Sequence, residues 1–487
     1  MHHPDLFHTD LYQLTMSQSY FDSGQNGLRG TFELFFRKLP FGGGYAVFCG
    51  RNAIENFLDN IENSIINFDN LVKKYGFAKN AKDYFKKAGF SNGFIEYLLT
   101  GLVDDIKALE IKTVEEGEIV YPHTPMVQVT GKMIPMQILE TPLLQMVNSQ
   151  SIIATKAARI KNSARDRLVA DFGLRRAHNP NLTYAAMVGG CDATSNVIAG
   201  VEMGVSITGT IAHSFIMSYG AGSKAELKAF KDYIKSFPDD YSLLVDTFDI
   251  KTGIENAIKV ADENNGRGFK AIRIDSGDIC YWAVTAREML DKAGYKNVKI
   301  VASNDLDEYV IESLDNQAHL DYNYDRVPVD AFGIGTRLIT AYDNPALGAV
   351  YKLVEINKPD KTPVIKVSGN KEKITIPFKK DLYRVINSKG EYIMDYMTVA
   401  DEKEIQGRIT ACHKDHEELH TELDLKEFRL EPLLKPLSYT PFKEINVQEK
   451  LKNLPKWHKR LKNPHYYKVG LSKKLFDLRQ KLIKQAS

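Results

Sequence analysis

The chain has 487 residues, of which 43% are hydrophobic and 26% are charged. That composition excludes disordered, collagen-like and mucin-like chains, and the length allows several domains. The formal net charge of +2 alone gives no reason to expect a nucleic-acid or membrane partner. The charge is uneven, however, because residues 435–487 hold 14 basic and 3 acidic side chains, whereas residues 1–434 hold 50 and 59. The sequence therefore predicts an acidic body with a basic tail.

Cysteine spacing and hydropathy indicate the compartment. The four cysteines lie far apart and form no CxxC pair, which argues against a disulfide framework or a zinc finger and favours a reducing environment. The sequence contains no run of about 18 apolar residues, so no transmembrane helix is predicted. Its first five residues do not resemble the start of a secretory signal. We therefore expect a cytoplasmic protein without a membrane partner.

The N-terminal part, residues 1–135, is predicted to form a mixed α+β domain. A glycine-rich turn at Pro40–Gly44 separates two runs of β-forming residues, which is the pattern of a hairpin. Glu110–Val129 alternates apolar and polar residues, as half-exposed strands do. Residues 351–434 show short strands again, except that residues 402–420 are expected to be partly helical. We expect these strands to return to the N-terminal domain.

The middle of the chain, residues 136–350, predicts an irregular βα barrel, an α/β fold. Short apolar strands recur about every thirty residues, each followed by an amphipathic helical pattern typical of parallel βα units. The predicted strands are Val205–Ile211, Leu243–Val245, Ala271–Ile274, Val298–Ala302 and Val329–Phe332. Each strand ends in small or polar residues, and parallel sheets bind ligands at the carboxyl ends of their strands. We therefore expect the chemistry at that rim.

The last segment, residues 435–487, is predicted to be a basic helical tail. Its final helix, Ser472–Lys484, would turn four apolar side chains inward: Leu475, Leu478, Leu482 and Ile483. Because such an apolar stripe needs a surface to cover, we interpret the tail as a cap docked on the acidic body and expect no nucleic-acid partner. Upstream of the tail, Cys412, His416 and His420 are spaced four residues apart. Because no second Cys/His pair lies nearby, we expect no fixed metal site.

Two polar clusters that follow barrel strands could carry chemistry. Gly333, Gly335 and Thr336 could bring backbone amides to a phosphate, although a tight turn has the same composition. Arg273 and Asp275 lie on one side of an earlier strand. The carboxylate could bind sugar hydroxyls or the Mg²⁺ of a polyphosphate, and the arginine could bind an anion. Alternatively, the acidic cluster is an Asx turn beside a surface arginine.

Four other positions could join the same site. Asp305 repeats the acidic pattern after the next strand. His213 ends another apolar strand and is either a nucleophile or acid–base group, or a structural histidine. Phe172 and Arg175 suit an aromatic or anionic ligand such as diphosphate, but equally a core ring with a surface arginine. Together these residues suit a phosphorylated sugar with further anionic groups, without selecting a reaction.

Nine motifs occur in order along most of the chain: Thr9–Met16, Phe32–Arg37, Pro40–Gly44, Phe172–Ala177, Asp192–Asn196, Gly209–Ser214, Arg273–Asp278, Gly333–Thr336 and Leu347–Val354. In sequence and order they resemble the motifs of the nicotinate phosphoribosyltransferase family. The resemblance implies a type II phosphoribosyltransferase-like barrel. It also implies conversion of nicotinate and 5-phosphoribosyl 1-diphosphate into nicotinate mononucleotide and diphosphate. This NAD-salvage reaction is coupled to ATP hydrolysis and is classed with the carbon–nitrogen ligases.

The resemblance also implies a role for each site residue. His213 would become a phosphohistidine, and Asp275 would act beside it and hold the ribose with Asp305. The nicotinate-binding residues would be Tyr12, Phe172, Thr210 and Arg273. The remaining residues that bind the sugar diphosphate would be Arg175, Gly333, Gly335 and Thr336. Mg²⁺ would be the cofactor and ATP a co-substrate, and the protein would be a homodimer in which Tyr12 comes from the partner subunit.

Two alternatives stay open at this stage. The first is a nicotinamide phosphoribosyltransferase. Because a neutral amide gains less than a carboxylate from an arginine fork, we expect a preference for the acid. The second is a non-catalytic sugar-phosphate sensor on the same fold. A sensor is expected to have lost the chemical groups, whereas this sequence keeps the histidine and both acidic strand ends.

Overall fold

The structure, a computed structural model, describes residues 5–358, 360–400, 402 and 405–486. The chain forms two compact units. The first unit combines Met1–Ile152 with Ala346–Ser487, and the second unit is Ile153–Pro345. The finer four-part division inferred from the sequence stays a prediction.

The strands of the described residues are rich in aromatic and β-branched side chains, which favour extended backbone. In chain order they are β1 Arg29–Phe36, β2 Ala46–Val47, β3 Glu110–Thr113, β4 Ile119–Val120, β5 Val127–Lys132, β6 Leu168–Asp171, β7 Ala193–Thr194, β8 Tyr241–Leu244, β9 Phe269–Ile274, β10 Lys299–Ala302, β11 Ala331–Ile334, β12 Ala349–Asn357, β13 Lys361–Pro363, β14 Lys380–Asn387, β15 Tyr392–Val399, β16 Arg408–His413, β17 His416–Asp424, β18 Phe428–Pro432, β19 Lys435–Pro436 and β20 Lys468–Ser472.

Several helices begin after an aspartate whose side chain accepts a hydrogen bond from a backbone N–H of the first turn. Asp249, Asp278 and Asp307 are examples. The α-helices are α1 Leu11–Asp22, α2 Arg51–Asp59, α3 Asn63–Tyr75, α4 Ala81–Lys87, α5 Asn92–Thr100, α6 Leu102–Lys107, α7 Met133–Ile138, α8 Glu140–Ala164, α9 Leu182–Gly189, α10 Val197–Met203, α11 His213–Met217, α12 Ser223–Ser236, α13 Ile250–Glu263, α14 Ile279–Lys292, α15 Glu308–Tyr322, α16 Thr336–Ile339, α17 Val447–Asn453 and α18 Lys473–Ala486. Short 3-10 helices lie at Pro40–Gly42, Leu174–Arg176, Lys371–Lys373, Phe442–Glu444 and Lys456–His458. Among the described residues, no helix has the length and apolar character needed to span a membrane.

The second unit is built on a six-stranded parallel sheet in the order β7-β6-β11-β10-β9-β8. The last strand in sequence, β11, pairs with the first, β6, so the sheet curls on itself. Within the described ranges no pairing closes it between β7 and β8. The unit is therefore the irregular βα barrel that the sequence predicts, left open on one side. Its strands, being parallel, direct their carboxyl ends to one rim.

The prediction of a barrel strand at Val205–Ile211 is wrong. Within this segment only Ile207 makes a bridge, to Thr194, and the paired strand is β7 instead. Most of the run stays outside the core, since Ile207 is 57% exposed and only Ile211 at its end is buried. The segment is therefore a loop that leads from α10 to α11.

The first unit is the predicted mixed α+β domain built from both ends of the chain. One six-stranded sheet has the order β13-β12-β1-β5-β3-β19, so N-terminal strands lie between C-terminal ones. A second has the order β17-β16-β20-β15-β14-β18. Its core cluster comprises Val385, Met394, Tyr396, Ile409, Ala411 and Leu423. β2 pairs with β4 rather than with β1, so the predicted hairpin is wrong.

The expectation of partial helix in residues 402–420 is also wrong for the described part of that segment, which lacks residues 403 and 404. β16 and β17 form an antiparallel hairpin in which Cys412 faces His420 and His413 faces His416. β16 also pairs with β20, and this tertiary pairing outweighs the helical periodicity. Across the ranges that the structure describes, no group of three or more His, Cys, Asp or Glu residues is placed to hold a metal ion.

The basic tail forms ion pairs with acidic groups of the first unit. Lys450 Nζ lies 2.6 Å from Glu118 Oε2, and Arg479 Nη2 lies 3.3 Å from Asp415 Oδ1. Burial acts to raise the pKa of Glu118, but the positive charges of Lys450 and Arg384 outweigh it and hold that pKa below its usual range. These contacts support the interpretation of the tail as a cap.

The inward face of the last helix differs in detail from the prediction. Leu475 is buried as expected, but its buried companions are Phe476 and Arg479, whereas Leu478 and Leu482 are only half-buried. The Arg479 guanidinium donates to the Lys414 carbonyl and pairs with Asp415, which allows an arginine on the covered face.

We predict that truncation after Leu434 lowers both the soluble yield and the melting temperature of the protein. The deletion removes β19 and β20 from two sheets and leaves the buried Glu118 without its lysine partner. Thermal melting and the soluble fraction measure the effect, with deletion of residues 485–487 alone as the control. A truncated protein that melts normally but has lost affinity for nucleic acid would contradict the cap.

Candidate active site

A cavity of about 530 Å³ opens at the rim of the second unit's sheet. Its lining residues are Phe172, Leu174, Arg175, Ser195, Gly209, Thr210, Ile211, Ala212, His213, Leu244, Arg273 and Asp275. Six of them were predicted as site residues: Phe172, Arg175, Thr210, His213, Arg273 and Asp275. Because parallel strands end at a common edge, residues far apart in sequence meet here.

Arg273, at the end of β9, is held by three different side chains. Its Nε donates to Ser303 Oγ at 2.8 Å, and its Nη1 donates to Thr210 Oγ1 at 3.0 Å. Its Nη2 lies 3.0 Å from Asp275 Oδ2. The guanidinium carbon lies 5.7 Å from the centre of the Phe172 ring, within range of a cation–π interaction. An arginine fixed in this way still has N–H groups to offer an incoming carboxylate.

His213 is the first residue of α11, and its side chain is 40% exposed. Its Nδ1 lies 3.2 Å from Thr247 Oγ1. Its Nε2 lies 3.6 Å from Asp275 Oδ2 and 4.0 Å from Asp246 Oδ1. The imidazole is therefore oriented by a hydroxyl on one nitrogen, faces two carboxylates with the other and stays accessible. Nucleophilic and acid–base chemistry both require such an orientation.

Asp246 is a site residue that the sequence analysis did not select. Its side chain is fully buried, and Oδ2 accepts hydrogen bonds from the Asp275 amide at 3.0 Å and from Ser276 Oγ at 2.6 Å. Oδ1, which faces His213, is buried without a hydrogen-bond partner among the described residues. An unpartnered buried oxygen costs free energy, so a ligand group that donates a hydrogen bond would be favoured here. The sequence did offer one indication of this residue, because the Asp246–Thr247 pair directly follows the predicted strand Leu243–Val245.

The Phe172 ring forms an aromatic wall of the cavity, and two neighbouring residues, Asp171 and Gly333, shape its surroundings. Asp171 is buried and accepts from the Gly173 amide at 2.8 Å and from Thr194 Oγ1 at 3.2 Å. Burial raises the pKa of Asp171, although these hydrogen bonds oppose the shift. Gly333 leaves room for the ring, since a Cβ at that position would lie 2.4 Å from a Phe172 ring carbon. Gly333 thus has a packing role beside the phosphate-binding role predicted for it.

The other predicted residues do not line this cavity. Gly335 and Thr336 follow β11, and Asp305 follows β10, so they occur at adjacent strand ends of the same rim. Asp305 is exposed, and both it and Asn304 have positive φ angles, of 46° and 95°. Positive φ angles are uncommon outside glycine, and Asn and Asp adopt them more readily than other residues. The roles of these residues stay predictions.

Tyr12 belongs to the first unit. It lies on α1, its ring is 49% exposed, and its hydroxyl lies 3.4 Å from Glu140 Oε1. Partial burial and the negative charges of Glu140 and Asp10 raise the pKa of Tyr12. An aromatic side chain with this exposure is available to a second molecule, and its predicted role stays a prediction.

Glu226 is a buried acid that the sequence analysis also missed. Its Oε2 accepts a hydrogen bond from Asn256 Nδ2 at 2.9 Å, while Oε1 has no hydrogen-bond partner within the described ranges. Burial raises the pKa of Glu226 to about 7; the Asn256 hydrogen bond opposes the shift, and the charges of Asp246 and Asp249 add to it. The folded protein therefore retains this proton at a pH at which the unfolded chain has lost it.

We predict that Glu226→Gln stabilises the protein at pH 8 but not at pH 4.5. The wild-type protein should lose stability as pH rises from about 4.5 towards 7, because ionisation is favoured in the unfolded chain. The relative gain of the variant should reach about 1–3 kcal/mol. Unfolding in denaturant at several pH values measures it, and the exposed Glu255→Gln on α13 is the control. Equal effects of Glu226→Gln at both pH values would contradict the shift.

Comparison with known proteins identifies the family. Models of the nicotinate phosphoribosyltransferase N-terminal domain, family domain and C-terminal domain match residues 7–148, 168–394 and 379–479. The nicotinate phosphoribosyltransferase of Bacillus subtilis is 37% identical over 482 residues, covering 96% of this chain and 92% of its own. The chain belongs to the nicotinate phosphoribosyltransferase family. The predictions of this family, of an enzyme and of a role in NAD salvage are thereby confirmed.

Solved structures confirm the fold. The crystal structure of human nicotinic acid phosphoribosyltransferase superposes with a TM-score of 0.80 at 27% identity, covering 97% of this chain and 99% of its own. A nicotinate-nucleotide pyrophosphorylase from Pyrococcus furiosus superposes with a TM-score of 0.63 at 24% identity, covering 91% and 93%. The second likeness concerns the fold alone. The predicted type II phosphoribosyltransferase-like architecture is confirmed.

Proposed function

We propose that this nicotinate phosphoribosyltransferase performs its transfer in the cavity of the second unit and couples it to ATP hydrolysis. The observation that carries the proposal is Arg273, fixed against the Phe172 ring beside Asp275 and His213. Nicotinate combines a flat aromatic ring with a carboxylate. The phenylalanine ring suits the first group, and the arginine together with the Thr210 hydroxyl suits the second.

Positioning and charge stabilisation account for the transfer step. The bond between the anomeric carbon and the diphosphate oxygen breaks, its electron pair leaves with diphosphate, and the pyridine nitrogen forms the new bond to carbon. The anomeric carbon is positively charged in the transition state, and the Asp275 carboxylate would stabilise that charge while binding the ribose. Arg273 and Thr210 would hold nicotinate so that its ring nitrogen is the attacking atom.

The sugar diphosphate would lie along the rim. In this proposal Asp305 holds a ribose hydroxyl, and the backbone amides at Gly333 and Gly335, with the Thr336 hydroxyl, take the 5-phosphate. Arg175, an exposed cavity residue, would pair with the diphosphate. These local groups would bind a highly anionic substrate although the body of the protein carries net negative charge.

His213 would connect ATP to this site. The γ-phosphoryl group would move to an imidazole nitrogen, forming a P–N bond as the bond to ADP breaks, and water would later release phosphate. A phosphohistidine adds negative charge and strong acceptor oxygens at the rim, which would tighten binding of the sugar diphosphate through Mg²⁺. The hydroxyl of Thr247 and the carboxylate of Asp246 would keep the ring oriented through this cycle.

Mg²⁺ fits this chain as an ion carried by the phosphorylated substrates. It prefers one or two carboxylates together with phosphate oxygens and water, rather than a complete protein cage. Asp275 and the exposed Asp305 are the carboxylates that could take part. When bound, the ion neutralises phosphate charge during the transfer.

We also propose a homodimer that shares its active sites. Two apolar faces are exposed, one on α1 with Leu11, Tyr12 and Met16, and one on α10 with Val197, Ile198 and Val201. Val201 is 80% exposed, and α10 begins two residues after the cavity residue Ser195. Pairing α1 of the partner subunit with this face would bury both surfaces and bring Tyr12 of the partner subunit to the nicotinate ring.

Mixing inactive variants tests this arrangement. If Tyr12 acts across subunits, Tyr12→Ala and Arg273→Ala chains should complement each other, because a mixed dimer contains one site with both residues intact. Random mixing should then restore about a quarter of wild-type activity. Co-expression followed by an activity assay measures it, with each variant alone as the control. No recovery from dimers shown to be mixed would place Tyr12 in the site of its own chain or outside the site.

A cytoplasmic location without a nucleic-acid partner is part of the proposal. The four cysteines, all within the described ranges, are buried and form no disulfide with one another, which fits a reducing compartment. The charged contacts of Lys450 and Arg479 described above engage part of the basic tail within the first unit. Cell fractionation and a nucleic-acid retention assay test these two points.

The decisive experiment compares substrates. We expect product from labelled nicotinate and 5-phosphoribosyl 1-diphosphate, strong stimulation by ATP, and little product from nicotinamide. The charged fork of Arg273 favours the acid over the neutral amide. Equal turnover of nicotinamide would favour the nicotinamide phosphoribosyltransferase alternative. Product formation that ATP leaves unchanged would remove the coupling from the proposal.

A further inference from the structure

Ser303 closes a ring of contacts between Arg273 and Asp275. Its hydroxyl oxygen accepts from Arg273 Nε at 2.8 Å and donates its own proton to Asp275 Oδ1. The other carboxylate oxygen, Oδ2, lies 3.0 Å from Arg273 Nη2. The serine thus occupies one of the two positions at which an arginine and a carboxylate normally meet directly. Sequence analysis noted this strand end but selected only Asp305 from it.

The position of Ser303 is fixed by the sheet. Its side chain is 97% buried, and its backbone amide donates to the Ile274 carbonyl, directly before Asp275, at 3.0 Å. It directly follows β10, at the point where the chain enters the loop with positive φ angles at Asn304 and Asp305. The backbone that carries the hydroxyl is therefore anchored at the end of the sheet, and the hydroxyl itself is held by Arg273 and Asp275.

Without the serine, the acid and the arginine could form a direct two-bond pair. Arginine and carboxylate prefer this parallel arrangement, which would occupy Nε and Nη2 with both oxygens of Asp275. Asp275 Oδ2 also lies 3.6 Å from His213 Nε2, so a direct pair would compete with the histidine for the same carboxylate. The serine hydroxyl stands between Arg273 Nε and Asp275 Oδ1 and so prevents the second contact of a two-bond pair.

We propose that Ser303 is a positioning residue that determines specificity for the pyridine acid. By limiting the ion pair to the single Nη2–Oδ2 contact, it leaves the other N–H groups of Arg273 available to a substrate carboxylate and leaves Asp275 less tightly bound, so that it can meet the sugar and His213. A neutral pyridine amide depends less on that charge, so loss of the serine should weaken the acid selectively. This inference rests on the proposed binding of nicotinate at Arg273.

Substitution with alanine tests the inference. For Ser303→Ala we expect the KM for nicotinate to rise about tenfold, while the Ki of nicotinamide as a competitor stays within twofold of wild type. Ser303→Thr keeps the hydroxyl and should restore the wild-type ratio of the two constants. Ser313→Ala, at an exposed position on α15, is the matched control. Steady-state kinetics with each variant gives both constants, and thermal melting reports the fold.

The outcomes separate this inference from the function on which it rests. An unchanged KM for nicotinate, or equal weakening of acid and amide, in folded Ser303→Ala overturns the role of the serine. Failure of the wild-type protein to convert nicotinate overturns the proposed function instead. If Ser303→Ala does not fold, Ser303→Cys keeps most of the volume with a weak hydrogen-bonding group and carries the same expectation.

Discussion

Replacement of His213 by alanine is expected to abolish stimulation by ATP and to raise the KM for 5-phosphoribosyl 1-diphosphate by roughly 10- to 100-fold. Hydrogen bonds to charged groups contribute about 1.5–3 kcal/mol each, and the variant would lose those that a phosphohistidine provides. The side chain is 40% exposed, so its removal should leave the fold intact. Initial rates with and without ATP, at varied sugar diphosphate, measure both effects.

The control for this prediction is His319→Ala, which removes an exposed histidine from α15 in the same unit. It should keep the wild-type response to ATP. A second comparison, Thr247→Val, removes the hydroxyl that faces His213 Nδ1 and should reduce the ATP response without eliminating it. Undiminished ATP stimulation in His213→Ala would contradict the phosphohistidine role.

The strand ends of the barrel were the predictable part of this molecule. Arg273 and Asp275 were found because parallel strands must gather their polar ends at one edge, whichever helices connect them. His213 was selected at the end of a predicted strand that is a loop in the structure, yet it reaches the same cavity as the first residue of α11. Their assembly around one cavity follows from that topology. The strand-end rule does not show which of the polar residues at the rim belong to the site. Asp246 and Ser303 also follow barrel strands, yet only the distances in the structure reveal their contacts with His213, Asp275 and Arg273.

The predictions that were wrong share one physical cause. Val205–Ile211 looks like a strand, and residues 402–420 show helical spacing, but local periodicity does not include the tertiary partner. In the structure Ile207 stays exposed, and Cys412 lies in a strand that pairs on both sides. Gly333 shows the same dependence on a distant partner, since Phe172, against which it packs, directly follows the adjacent strand β6. Partners distant in sequence decide such cases.

Arg273 contacts four residues at the cavity, and this concentration of contacts sets the size of its effect. It donates to Ser303 and Thr210, pairs with Asp275 and lies against Phe172. Its removal would therefore delete the substrate's counter-charge and also leave Asp275 without its cation. Because removal of Arg273 has both consequences, we expect it to be the most damaging single change in the site.

Arg273→Ala is accordingly expected to lower kcat/KM for nicotinate by roughly 100- to 1,000-fold, because truncating one member of a desolvated charge pair costs about 2–5 kcal/mol. Arg273→Lys keeps the charge but loses the planar fork, so an intermediate loss should result. Steady-state kinetics with nicotinate and nicotinamide measures the effect, and Arg326→Ala, at an exposed ion pair with Asp166, is the control. A loss that is the same for the acid and the amide would show that Arg273 maintains the site rather than binding the carboxylate, because only the acid depends on its charge.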